Sequence, residues 1–133
     1  MKPSASQRLQ DLRGALAAAT VMCRVALALR RLTFPVLLER LRLRDRLPPA
    51  PIDTVARAQT DVRRAHRLLP LQPNCLLDSL TAAALVRRQG YSVPLAIGVK
   101  KERGEMLAHA WLGTGETNGG DGFQLLYRVP HED

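Results

Sequence analysis

At Gly90 the hydrophobic period of this chain changes from about 3.6 residues to 2, and few architectures accommodate that switch. Before it, apolar residues recur at steps of three and four. Leu9, Leu12, Leu16, Ala19 and Cys23 form one such stripe, and Met22, Val25, Leu29 and Leu32 form another. The pattern predicts helix from about Ala5 to Leu43, broken or kinked at Pro35. The segment "LPPAPID" carries three prolines in four positions and cannot continue a helix. Asp53 is then placed to cap a helix reaching about Leu69, which "PLQPN" ends. Asn74 is a good cap for the next helix, whose apolar face is Leu76, Leu77, Leu80, Ala83 and Ala84. Gly90 stands where a left-handed terminal glycine belongs.

Beyond Gly90, Val93, Leu95, Ile97 and Val99 point one way, and Pro94, Ala96 and Gly98 the other. "KKERGE" reads as a polar turn. In "LAHAWL" the residues Leu107, His109 and Trp111 share a face, and "FQLLYRV" reads as a third strand after a glycine-rich loop. The expected fold class is α+β, with helices first and then a helix packed on a small antiparallel sheet. The 133 residues suffice for a single domain over 1–133, divided into a helical part, 1–70, and a helix-plus-sheet part, 71–133.

The charge is divided in the same way. Residues 1–70 hold 14 Lys/Arg and 5 Asp/Glu, a net +9; residues 71–133 hold 6 and 7, a net −1. A basic surface of this kind suits nucleic acid, an anionic membrane or an acidic protein partner, and also suits a merely solvated helix face. Nucleic acid is disfavoured because Phe34 is the single aromatic of the basic half, which leaves no stacking platform. The apolar stretch from Gly14 to Leu29 is interrupted by Arg24, lacks a clean cleavage site and is shorter than the ~20 residues of a bilayer span. Two cysteines make no disulfide framework, so the expected setting is a reducing cytoplasm.

Cys75 sits at the start of the helix capped by Asn74. A first helical turn offers unpaired backbone N–H groups and the positive dipole end, both of which favour a thiolate and a developing oxyanion. Taken alone, a cysteine beside leucines is more often a small buried hydrophobe. His109 follows 34 residues later in mid-strand, where an imidazole either shares the thiol proton or is a satisfied core histidine. Asp121 follows 12 residues after that, where it either orients the imidazole or serves a turn. The three together, in this order, match the layout of papain- and transglutaminase-type thiol sites. There is no glycine fingerprint for a nucleotide and no metal-ligand spacing, so no cofactor is expected.

The motifs Cys75–Leu76, Ser79–Leu80, Arg87–Arg88–Gln89–Gly90, Ile97–Gly98–Val99 and Ala108–His109–Ala110–Trp111 resemble the transglutaminase-like B2 proteins of lasso-peptide biosynthesis, the stand-alone leader peptidases. The resemblance runs from about Asn74 to Asp121. It implies a transglutaminase-like, papain-like cysteine protease fold, with Cys75 as nucleophile, His109 as base and acid, and Asp121 as the orienting carboxylate. Glu116 is the alternative third member, because the "TGETNGG" loop is richer in glycine than the family's. The resemblance also implies a substrate, the leader–core precursor peptide, and a separate leader-binding B1 protein as partner, with the ATP-dependent lasso cyclase acting next. Neither metal nor ATP enters the cleavage step itself. Two rivals share the fold: an acyl transferase acting on a peptide amide, and a non-catalytic adaptor.

Overall fold

The computed structural model describes residues 2–72, 74–113 and 123–129. Among them the chain forms four helices followed by a three-stranded antiparallel sheet, an α+β fold.

Helix α1 spans Ala5–Arg31 and opens on Ser4, whose hydroxyl oxygen accepts from the Gln7 N–H at 3.1 Å. The chain leaves the helix at Leu32, and α2 covers Phe34–Arg40. The expected break at Pro35 is real, but Pro35 lies inside the first turn of α2. There its missing N–H costs no intrahelical bond. Helix α3 covers Ile52–Leu68 with Pro51 at the cap position. Asp53 is therefore not the cap; it sits in the first turn, where its charge favours the positive dipole end. Helix α4 covers Cys75–Arg88 and is central: Leu80, Ala82, Ala83 and Val86 are almost wholly buried, and the buried Thr81 hydroxyl donates to the Leu77 carbonyl at 2.7 Å.

Strands β1 (Leu95–Glu102), β2 (Glu105–Leu112) and β3 (Gln124–Val129) pair in the order β2-β1-β3. Glu102 pairs with Glu105, so Arg103 and Gly104 form a two-residue turn, both with positive φ (53° and 82°). That is the turn whose twist matches the strands it joins, and glycine carries the left-handed geometry of its second position at no steric cost. Leu95, Ile97, Ala110, Leu112 and Val129 share the face that joins the helical core. The proline-rich segment is held against the chain that follows α4. Ala50 N–H donates to the Ser92 carbonyl and Ser92 N–H to the Pro48 carbonyl, both at 3.0 Å, and Arg87 reaches the Asp45 carbonyl at 3.0 Å.

The structure divides the two apolar stripes of α1. Ala15, Ala18, Ala19, Met22 and Val25 are buried. Leu9, Leu12 and Leu16 are each about half exposed, and Cys23 is exposed rather than packed. Small residues win the inner face because α3 and α4 can then approach α1 closely. By length and composition alone α1 could cross a membrane; here its inner face is packed on those helices.

Where α1 meets α3, the Asp61 carboxyl lies over Gly14; a Cβ there would sit 2.7 Å from both carboxylate oxygens. Burial raises the pKa of Asp61 above the ordinary carboxylate value, and Arg64 and Arg57 partly oppose the shift. The folded state therefore holds the Asp61 proton more tightly than the unfolded chain does. Its contribution to stability falls as pH rises through the carboxylate range. Asp61→Asn should lose that slope. Measured by denaturant titration, its stability relative to wild type is expected to be greatest at neutral pH and to shrink on acidification. A difference independent of pH would show that Asp61 titrates as it does in the unfolded chain.

Candidate active site

Cys75 is the first residue of α4 and is exposed. The Asn74 carboxamide oxygen accepts from the N–H groups of Leu76 (2.9 Å) and Leu77 (3.2 Å), and the Asn74 carbonyl accepts from Asp78 N–H at 2.8 Å. The cap thus engages the following three donors and leaves the Cys75 N–H outside it. A nucleophile here would lie beside a backbone N–H that donates to no described residue and at the positive end of a 14-residue helix. One turn on, the Ser79 hydroxyl donates to the Ala110 carbonyl at 3.3 Å, tying α4 to β2 next to His109.

His109 lies in the middle of β2, opposite Gly98 of β1, and is half-buried. Its ring stacks on Trp111 (centroids 5.7 Å apart, 21° between planes) and tilts against Phe123 (5.1 Å). Lys100 Nζ stands 5.4 Å from the Phe123 centroid. Gly98 makes this cluster possible: a Cβ on it would fall 2.8 Å from Trp111 Cη2 and 2.7 Å from the Gln124 carbonyl oxygen. Neither His109 ring nitrogen hydrogen-bonds to a described residue. Strand alternation sets His109 and Trp111 on the face opposite Ala110 and Leu112, the two that meet the helical core. The Cys75 thiol makes no hydrogen bond to His109 or to any other described residue. Asp121 and the alternative Glu116 lie outside the described residues.

A histidine–carboxylate pair braces the first turn of α4, and the motif reading missed it. His66, in the last turn of α3, donates from Nε2 to Asp78 Oδ1 at 2.7 Å, and its Nδ1 lies 3.2 Å from the Leu71 carbonyl oxygen. Asp78 is three residues after Cys75, on the same side of the helix. Both nitrogens of His66 are taken and its side chain is 14% exposed, so it acts as a strut. It fixes the first turn of α4 to α3 and to the chain entering the cap. A histidine ending one helix and an aspartate in the first turn of the next were the available signal, but His66 falls outside any cysteine–histidine motif.

The helix-then-sheet order, the cysteine at the head of the central helix and the histidine on the second strand together define a recognisable frame. The model of the transglutaminase-like superfamily matches residues 4–128, nearly the whole chain. The chain belongs to that superfamily. No curated protein and no solved structure matches it significantly. Membership supports cysteine-protease-like or acyl-transfer chemistry in general terms.

Proposed function

We propose that this transglutaminase-like protein is a cysteine endopeptidase that removes the leader from a lasso-peptide precursor. It works in the cytoplasm with a separate leader-binding B1 protein and hands the core to a cyclase. The observation that carries the reading is the exposed Cys75 thiol at the first position of a capped helix, whose own N–H donates to no described residue. The motif series from Cys75 to Trp111 supports the choice of substrate.

In this reading the Cys75 thiolate attacks the scissile carbonyl and forms a C–S bond. The Cys75 N–H donates to the resulting oxyanion. His109 carries the thiol proton to the departing core amine as the C–N bond breaks, which leaves a leader thioester. Water, deprotonated by the same imidazole, then attacks the thioester, releasing the leader acid and restoring the thiol. Asp121, or Glu116 in its place, orients the imidazole. Proton transfer requires the ring within about 3 Å of the sulfur or of one bridging water when substrate is bound.

Incubation of the purified protein with precursor and the B1 protein, read by mass spectrometry, tests this reading. Two fragments whose masses sum to precursor plus one water are expected. A leader joined to an added amine would instead show acyl transfer. The adaptor reading draws on one specific observation, the lack of a hydrogen bond between the Cys75 thiol and an imidazole on the opposite sheet face. Intact precursor after incubation with the B1 protein would favour it.

A further inference from the structure

We propose that the outer face of α1 is a docking seam for an acidic amphipathic helix of a partner protein. The inference is independent of whether Cys75 is a nucleophile. Leu9, Leu12, Leu16 and Leu27 are each about half exposed along this face (50, 50, 51 and 50%), and Thr20 and Cys23 complete the row. The Thr20 hydroxyl donates back to the Leu16 carbonyl at 3.0 Å, which removes its donor from the surface. At 100° per residue the row spans about 80° of the helix, and at 1.5 Å per residue it runs about 27 Å.

The shape of the row selects the occupant. A helix lying on a bilayer presents a broad apolar face, whereas a row one side chain wide is the seam of helix against helix. Charge then decides which helix. Arg13, Arg24 and Arg31 line one flank of the row, and Arg8 and Arg30 lie toward the other. The single acidic residue of α1, Asp11, is paired with Arg64 of α3 at 3.4 Å. A second copy of this chain, packed on the same face, would set arginines against arginines. A partner with apolar residues at helical spacing and Asp/Glu at the flanks meets leucines with apolar side chains and arginines with carboxylates.

The test uses the full chain and a labelled helix-forming peptide of about 20 residues, the length of the seam. One version has Leu along one face and Glu at both flanks; the other has Lys in place of Glu. Fluorescence anisotropy should show saturable binding of the Glu peptide and binding of the Lys peptide weaker by at least about tenfold. Leu16→Glu should remove binding, and the Arg13→Glu/Arg24→Glu pair should reverse the preference between peptides. These side chains are exposed, so unchanged melting curves are expected in the variants. The proposal is overturned by equal affinity for both peptides, or by binding indifferent to Leu16→Glu. It is also overturned if neither peptide binds while phosphatidylglycerol-containing vesicles do, or if sedimentation shows a dimer that Leu16→Glu dissociates.

Discussion

Cleavage of precursor is expected to disappear in Cys75→Ala and to stay within a few-fold of wild type in Cys23→Ala. Both thiols are exposed, so access does not separate them. Their places in the helices do. Cys23 lies mid-way along α1, where neighbouring backbone donors are engaged in the helix ladder and the dipole is far from its ends. Cys75 heads α4, and its own N–H donates to no described residue. Replacing it removes the atom that would form the acyl intermediate, and a fall of at least about 10⁴-fold in turnover follows. Its side chain contributes little packing, so the melting temperature should hold while activity is lost. Measured by fragment masses over time, turnover surviving in Cys75→Ala would exclude a thiol mechanism. Equal losses in both variants would show an effect on folding.

The second large effect is expected at His109. His109→Ala should lower turnover by about 10²- to 10⁴-fold, because the thiol then lacks a proton acceptor and the departing amine a donor. The same change removes a ring packed on Trp111 and Phe123, at a cost of about 0.5–1.5 kcal/mol in stability. His109→Phe separates the two roles. It keeps a ring between Trp111 and Phe123 and carries no titratable nitrogen, so it should melt close to wild type and remain as inactive as the alanine variant. A His109→Phe protein that still cleaves would exclude the imidazole from the reaction. Attention would then turn to His66, whose nitrogens are engaged by Asp78 and Leu71 in this structure.

Features that depend on a few neighbouring residues were legible in the sequence. Asn74 caps α4 as its residue type predicts, because an Asx side chain reaches donors only two and three residues away. Gly90 adopts a φ of 90° at the end of that helix. The alternation from Leu95 to Ile97 directs the expected side chains to the core, since strand geometry leaves no other choice once one face is buried. The cap of α3 was misread because Pro51 and Asp53 both suit a helix start, and local preference does not order them.

What lies between elements had no such local signal. Two stripes on α1 had equal claim to the core by spacing. The close approach of α3 and α4 selected a face that takes Ala19 from one stripe and Met22 and Val25 from the other, adds Ala15 and Ala18, and leaves Leu9, Leu12 and Leu16 outside. The strut from His66 to Asp78 joins residues on different helices, and its 2.7 Å contact exists only because α3 ends where α4 begins. Periodicity correctly grouped His109 with Trp111, but it could not say which sheet face the helices would cover. The sequence by itself determined the elements, the Asn74 cap and the place of Cys75 at a helix start, because those follow from short-range sterics and hydrogen bonding. The tertiary structure alone decided which face of α1 is buried, which histidine braces α4 and which sheet face carries His109. Those outcomes are set by packing among distant segments, which no local pattern encodes.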